Sequence, residues 1–213
     1  MNLPVIILGG GGHARVLIDT LLLLGKRILG FTEIAKDSCL VIRGIPMLGD
    51  DEAVLRYRPE AVRLVNGLGC IKPSNKRKFI YEHFKDLGYN FTSVIHPSSV
   101  ISTDVRMGEG VQIMAGAIIQ PGTRLGINSI VNTRASVDHD CYIENHAHLA
   151  PGVTLSGMVQ VGRETHIGTG ATVIQGVKIG SKCLIGAGSL VLKDIPVGVT
   201  AYGLPAIHIS SSD

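Results

Sequence analysis

Hydrophobic residues in the second half of the chain recur with a period of six. A large aliphatic residue occupies every sixth position from Ile101 to Val197, seventeen positions in one register. The residue two places earlier is usually small or β-branched, and Gly or Asn commonly follows as a turn-former. An α-helix would carry this pattern around its circumference, whereas a coil of three short strands and three turns returns each hexad to an equivalent face. The pattern therefore predicts an all-β parallel β-helix in a domain of residues 95–213. An antiparallel sandwich would need irregular strand lengths and hairpin turns instead.

The first 94 residues follow a different pattern, in which short apolar strands alternate with amphipathic helices. Strands are expected at Val5–Leu8, Arg27–Phe31 and Val62–Leu68. Helices are expected at His13–Leu24, with one face formed by Val16, Leu17, Thr20, Leu21 and Leu24, and around Asp50–Arg56 and Lys76–Leu87. Alternating strands and helices predict a small α/β, Rossmann-like domain with a parallel sheet, covering residues 1–94.

Composition and charge narrow the function classes. The chain has 213 residues, of which 27 are Gly, none is Trp and only 4% are aromatic, as suits a narrow coil with tight corners. Its formal charge of +3 comes from basic and acidic residues mixed along the chain, so no nucleic-acid partner is expected. The apolar runs are too short to span a bilayer, and we expect a cytoplasmic protein. Neither CxxC pairing nor metal-ligand spacing occurs among Cys39, Cys70, Cys141 and Cys183.

A glycine-rich loop follows the first strand. Gly9, Gly10, Gly11 and Gly12 with His13 and Ala14 satisfy the pattern GxGxxA, and Glu33 lies about twenty residues further on. Fewer than 100 residues precede the repeat, enough for one mononucleotide-binding half but not for the double half that holds a dinucleotide. The loop therefore predicts a site for a nucleotide or nucleotide-sugar rather than NAD, although a glycine loop that merely turns the chain remains an alternative. We expect His13, Thr32, Glu33, Gly69 and Cys70 at the same edge of the sheet.

Three segments resemble those of the bacterial sugar O- or N-acyltransferases, in the same order along the chain. They are the loop Gly9–His13, Gly69 with Arg77, and the turn Gly203–Ala206 after the hexapeptide coil. The family includes sialic acid O-acetyltransferases and nucleotide-linked 4-amino-sugar N-acetyltransferases. The resemblance implies a left-handed β-helix, acetyl-CoA as donor and a homotrimer with sites between adjacent subunits. It also implies that Arg77 binds the substrate.

The resemblance assigns chemistry to residues of the coil. It implies that His139 is the catalytic base, that Asp140 orients it, and that His148 is a second active-site histidine contacting substrate or acetyl-CoA. It places Gly157 at the acetyl carbonyl and the pantetheine arm at Thr169, Ala187 and Gly188. Lys193 and Pro205 would meet the nucleotide end of CoA, although a solvated surface charge is an equal alternative for Lys193.

Spacing supports part of this assignment independently. His139 lies two residues past the inward Val137, so it can project outside the coil, and Gly157 lies 18 residues later, one coil above it. Because His148 is half a coil from His139, a neighbouring subunit would be needed to bring them together. His148 and His166 are 18 residues apart and should stack on another face.

The resemblance favours N-acetylation of a nucleotide-linked 4-amino-sugar, and no metal is expected. It leaves open O-acetylation of sialic acid or a related sugar. A zinc-dependent β-helix enzyme resembling the γ-type carbonic anhydrases, using His139, His146, His148 and His166, is a rival from another class. A non-catalytic trimeric scaffold is a third alternative.

Overall fold

The computed structural model describes residues 3–34, 41–69 and 75–209. The chain divides into two compact units at Pro97 and Ser98, whereas the sequence placed the boundary between residues 94 and 95. No helix within the described residues is both long and apolar enough to cross a membrane.

The first unit is a sheet with two α-helices and a short 3₁₀ helix. The sheet has five strands, β1 Val5–Leu8, β2 Ile28–Thr32, β3 Val41–Ile42, β4 Ile45–Gly49 and β5 Arg63–Asn66. The short strand β6 Val94–Ile95 belongs to this unit but not to this sheet. The helices are α1 Gly12–Leu23 and α2 Asn75–Asp86, and the 3₁₀ helix is Asp51–Arg56. The sheet order is β3-β4-β2-β1-β5, parallel except for the β3–β4 hairpin. The Rossmann-like α/β class is confirmed, while the hairpin is an addition that the sequence analysis missed.

The buried face of α1 differs in detail from the predicted one. Leu17, Thr20 and Leu21 are buried as expected, but Val16 and Leu24 are substantially exposed. Ala14 and Ile18 are fully buried in their place. The buried face of the helix is therefore the one that carries Ala14 and Ile18, so the prediction for Val16 and Leu24 was wrong.

The second unit is a β-helix whose strands are two residues long over the repeat. Its first face comprises β7 Val100–Ile101, β10 Ile118–Ile119, β13 Ser136–Val137, β16 Thr154–Leu155, β19 Thr172–Val173 and β22 Leu190–Val191. The second face comprises β8 Arg106–Met107, β11 Arg124–Leu125, β14 Tyr142–Ile143, β17 Gln160–Val161 and β20 Lys178–Ile179. The third face comprises β9 Gln112–Ile113, β12 Ile130–Val131, β15 His148–Leu149, β18 His166–Ile167, β21 Leu184–Ile185, β23 Thr200–Gly203 and, antiparallel to β23, β24 Ala206–Ile209.

Each coil contains 18 residues, as the hexad pattern predicts. Ile118 pairs with Ser136, and Ser136 with Thr154, so equivalent residues lie directly above one another in parallel strands. The hexad aliphatic residues from Ile113 to Val191 are all buried and form the interior columns. Burying each such side chain contributes about 1.5–3 kcal/mol. Met107 and Val197, near the ends of the stack, are exposed, so the inward prediction fails there.

The corners of the coil share one backbone conformation. Every sixth residue from Gly110 to Gly188 has φ between +55° and +75°. Half of these positions carry side chains, among them Arg134, Asp140 and Met158. The left-handed conformation costs roughly 1–2 kcal/mol per non-glycine residue, which the packed columns and ladder hydrogen bonds offset. We call the corner between the first and second faces the first corner, and that between the third and first faces the third corner.

Candidate active site

A cavity of about 360 Å³ opens in the first unit where β1 and β2 end. Because the carboxyl ends of parallel strands meet at one edge of a sheet, the loop after β1 and the residues after β2 come together there. The lining residues are Gly9, Thr32, Glu33, Ile34, Asp51, Leu68, Lys76, Phe79 and Ile80. The cavity thus combines two carboxylates, one ammonium group and an exposed aromatic ring.

The glycine loop is held by the end of β2. The Gly9 N–H donates to Oγ1 of Thr32 at 3.2 Å, and the Gly10 N–H donates to Oε2 of Glu33 at 2.9 Å. The Thr32 hydroxyl donates in turn to the carboxylate of Asp51. Two N–H groups of the glycine loop therefore bond the chain's own side chains. Glu33 and Thr32 shape the loop as well as line the cavity.

The start of α1 keeps the character of an anion site. Gly11 is its N-cap residue, and within the described residues no side chain caps the helix and no acid occupies its first turn. A Cβ on Gly69 would lie 3.2 Å from Cβ of His13, so the loop after β5 passes close to this helix start. A helix start without a side-chain cap, together with the helix dipole, favours negative charge here.

Arg77 makes a different set of contacts from those of an exposed substrate clamp. It is buried, and its Nη1 donates to the backbone oxygens of Asn66 at 2.9 Å and Leu68 at 2.7 Å. The Asn66 side chain donates back to the Arg77 carbonyl at 2.8 Å. Arg77 therefore fixes the loop after β5, and substrate binding by it stays a prediction. Cys70 lies outside the described residues.

His139, Asp140 and Gly157 meet at the first corner. Nδ1 of His139 lies 2.9 Å from Oδ2 of Asp140, and the His139 N–H donates to Oδ1 of Asp138 at 2.7 Å. A Cβ built on Gly157 would overlap the imidazole, 2.6 Å from its Cε1 and 2.9 Å from its Cδ2. The expected stacking of Gly157 on His139 is present. The absent side chain of Gly157 is what lets the ring lie across the next coil.

The electrostatics of this corner favour the protonated imidazole. The hydrogen bond to Asp140 is the main cause that raises the pKa of His139; desolvation opposes it, and the charges of Asp138 and Asp140 add smaller increases. His139 and Asp140 are exposed. With Nδ1 bound to the carboxylate, Nε2 is the nitrogen left to exchange a proton with a ligand.

His148 occupies the third face rather than the first corner. Its ring lies 4.8 Å from the ring of His166 in an edge-to-face arrangement, and the two residues are register partners, as expected. Nε2 of His148 is 3.2 Å from Nδ2 of Asn132. Both rings are buried, and burial lowers the pKa of His166 to about 4. Within one chain, His148 and His139 belong to different parts of the β-helix.

The residues expected to hold CoA form two groups. Thr169, Ala187 and Gly188 lie at the third corner, where the Gly188 N–H donates to the Thr169 carbonyl at 2.8 Å. Lys193 and Pro205 line a cavity of about 500 Å³ together with apolar side chains such as Leu192 and Ile207. Lys193 lies three coils after His139 at the equivalent position of its coil, so it also belongs to the first corner.

Two residues at these sites escaped the sequence analysis. Asp51, which accepts the Thr32 hydroxyl bond, follows the helix-capping Asp50, and the helix start at Asp50 was the available signal. Gly122 lies against Asp140, and the 18-residue step that linked Gly157 to His139 would have located it. Among the residues that the structure describes, no group of three or more His, Cys, Asp or Glu is arranged to hold a metal ion.

Comparison with known families gives two matches. Residues 4–84 match the model of the PglD N-terminal domain, and residues 158–193 match that of the bacterial transferase hexapeptide (six repeats).

Solved structures resemble the chain over nearly its full length. The perosamine N-acetyltransferase from Caulobacter crescentus, solved as a histidine variant with CoA and GDP-perosamine, is 38% identical over 98% of this chain and 97% of that one, with a TM-score of 0.90. The acetyltransferase domain of PglB from Neisseria gonorrhoeae, in complex with acetyl coenzyme A, is 32% identical over 97% and 100%, with a TM-score of 0.88. WeeI from Acinetobacter baumannii, at 22% identity and a TM-score of 0.79, shares the fold.

Proposed function

The chain belongs to the bacterial sugar acyltransferases with a hexapeptide β-helix, as an acetyl-CoA-dependent sugar N-acetyltransferase, and we propose that its acceptor is the amine of a nucleotide-linked 4-amino-sugar used in surface-glycan biosynthesis. Acceptor binding and acetyl transfer are assigned to different parts of the chain. The nucleotide binds in the cavity of the first unit, and the acetyl group is transferred at His139. The likeness to an enzyme solved with GDP-perosamine supports the class of acceptor.

The reaction is a direct transfer with His139 as general base. The amine nitrogen attacks the thioester carbonyl carbon, the new N–C bond forms, and the C–S bond breaks so that CoA leaves as its thiolate. Nε2 of His139 takes the proton that the amine loses and returns it to the thiolate. Asp140 on Nδ1 fixes the tautomer with a lone pair on Nε2 and stabilises the imidazolium, as in other base and orienter pairs.

Gly157 supplies the oxyanion donor in this proposal. Its N–H belongs to the residue packed against the His139 ring, and no acceptor within the described part of the chain takes a hydrogen bond from it. A backbone donor at that point can bond the carbonyl oxygen as negative charge develops there. His139 would then act on the attacking amine, and the Gly157 N–H on the carbonyl oxygen of the thioester.

The front cavity supplies the groups that a nucleotide needs. Phe79 is exposed at its rim and offers a ring face for the base. Glu33 and Asp51 accept hydrogen bonds from base or ribose, while the start of α1 and His13 receive the phosphates. A serine acetyltransferase or a similar enzyme with a small acceptor would have no use for this cavity.

Acetyl-CoA would bind between subunits of a homotrimer. The positions assigned to it are divided between the first corner, with His139, Gly157 and Lys193, and the third corner, with Thr169 and Gly188. One extended pantetheine arm would reach both groups if the first corner of one subunit faced the third corner of the next. His148 would join the site across the same interface.

The His139–Asp140 hydrogen bond beside Gly157 is the observation that carries the proposal. We would measure thiol release from acetyl-CoA with UDP-, dTDP- and GDP-linked 4-amino-sugars and with free and CMP-linked sialic acid. Turnover with one nucleotide-amino-sugar is expected. Turnover with sialic acid alone would contradict the acceptor and support O-acetylation. No thiol release with any member of the panel, combined with failure to bind acetyl-CoA, would instead support a non-catalytic scaffold.

A further inference from the structure

The carboxylate of Asp140 lies against a glycine of the preceding coil. Gly122 occupies the corner position one coil before Asp140, with φ of +75°. A Cβ built on Gly122 would overlap Oδ1 of Asp140 and lie 3.2 Å from its Cγ. Any side chain at residue 122 would therefore have to displace the carboxylate that holds His139.

The corner conformation alone does not call for glycine at this position. Asp140 and Met158 adopt the same turn in the next two coils at the same corner, with φ of 56° and 60°. Arg134 does so at the third corner, with φ of 57°. What residue 122 adds to the corner conformation is the carboxylate above it, so a side chain there would lack space as well as strain the backbone.

Gly122 is itself fixed by the coil before it. Its N–H donates to Oδ2 of Asp104 at 2.9 Å, and the Ser102 hydroxyl donates to Oδ1 of Asp104 at 2.8 Å. The Ser102 bond, followed by the Gly122 bond, lowers the pKa of Asp104. Asp104 is therefore ionised at neutral pH and keeps the Gly122 peptide in place.

We propose that Gly122 is a positioning residue for acetyl transfer, because its bare α-carbon is the surface on which the Asp140 carboxylate rests while it binds Nδ1 of His139. This inference depends on the proposed role of His139 as base. Each residue of the His139–Asp140 pair then packs against a glycine of a neighbouring coil. Asp140 packs against Gly122, and His139 against Gly157.

The test is Gly122→Ala, with Gly198→Ala as the matched control. Gly198 has the same φ of +75° but no atom within 4 Å of a built Cβ, so its variant shares the backbone strain without the overlap. For Gly122→Ala we expect kcat to fall about tenfold, KM for both substrates to stay within twofold, and the pKa of His139, followed by NMR, to fall toward its ordinary value. Gly198→Ala should match the wild type in all three.

Two further results would overturn the inference. An unchanged His139 pKa in folded Gly122→Ala would exclude the positioning role. Equal losses in Gly122→Ala and Gly198→Ala would assign the effect to backbone strain.

The Asp140→Ala background provides a second check, because adding Gly122→Ala there should cost no further activity once the carboxylate is gone. An additional tenfold loss would contradict positioning through Asp140. A lowered His139 pKa with wild-type kcat would overturn the positioning role, and the turnover of His139→Ala would distinguish this outcome from failure of the base assignment, on which the inference rests.

Discussion

Glycine serves opposite purposes in the two units of the molecule. In the loop after β1, Gly9 and Gly10 contribute backbone N–H groups, which bond Thr32 and Glu33 and shape a cavity. At the first corner of the β-helix, Gly157 contributes room, because a Cβ there would overlap the ring of His139. The first arrangement builds an enclosed surface for a ligand. The second leaves an exposed histidine free to meet a reacting group.

Under the proposed function, this difference would separate binding from chemistry along the chain. Residues that shape the front cavity should control the affinity for the nucleotide-sugar, and residues of the first corner should control turnover. Kinetic constants distinguish the two, since loss of uniform binding raises KM while loss of an interaction made in the transition state lowers kcat.

The largest effect is expected from His139→Ala. Without the base, kcat should fall by roughly 10² to 10⁴ while KM for the nucleotide-sugar changes little. His146→Ala, a neighbouring corner position of the same coil, is the matched control and should keep wild-type turnover. Steady-state kinetics measure kcat and KM for both variants. Normal turnover by His139→Ala would exclude His139 as the base.

Asp140→Asn should have a smaller effect on turnover and a distinct effect on its pH dependence. The pKa of His139 is raised mainly by the Asp140 hydrogen bond, so the unprotonated base is lost as pH falls through that raised value. Removing the charge should move the acid limb of kcat/KM toward the ordinary pKa of about 6.5 and lower kcat by about 10- to 100-fold. Glu144→Gln, at another corner, should leave the limb in place. If the acid limb of kcat/KM stays in place in Asp140→Asn, Asp140 does not raise the pKa of the base.

Glu33→Ala tests the cavity of the first unit and should have the smallest of the three effects. Its carboxylate holds the Gly10 N–H, and a hydrogen bond to a charged group contributes about 1.5–3 kcal/mol, so KM for the nucleotide-sugar should rise about tenfold or more. kcat and KM for acetyl-CoA should change little. Asp19→Ala, which removes an exposed ion pair with Arg43 in the same unit, is the control. A fall in kcat alone would show that the cavity takes part in the chemistry.

The β-helix was the more predictable unit because one rule repeats throughout it. Two inward residues per hexad and a fixed 18-residue step located the stacking of Gly157 on His139 and of His166 on His148. The left-handed corners were less predictable, because Gly and Asn are their signals in a sequence while Arg134, Asp140 and Met158 also adopt them. Packing of the columns overrides local preference at these corners.

The first unit was less predictable because its details depend on tertiary contacts. The β3–β4 hairpin turns at Arg43 and Gly44, both with positive φ, and Arg gives no turn signal. The glycine fingerprint located the loop correctly in the chain, yet it could not show that Glu33 and Thr32 bond its N–H groups. Those contacts arise only when the ends of β1 and β2 are brought side by side.

The most direct test is calorimetric titration of the accepted nucleotide-amino-sugar into wild-type protein, His139→Ala and Glu33→Ala, with turnover measured on the same samples. Separation of binding from chemistry requires His139→Ala to bind within twofold of wild type while losing turnover at least 10²-fold, and Glu33→Ala to bind about tenfold more weakly with near-normal kcat. Loss of binding in His139→Ala, or full turnover in it, would contradict the assignment of acetyl transfer to the first corner of the β-helix.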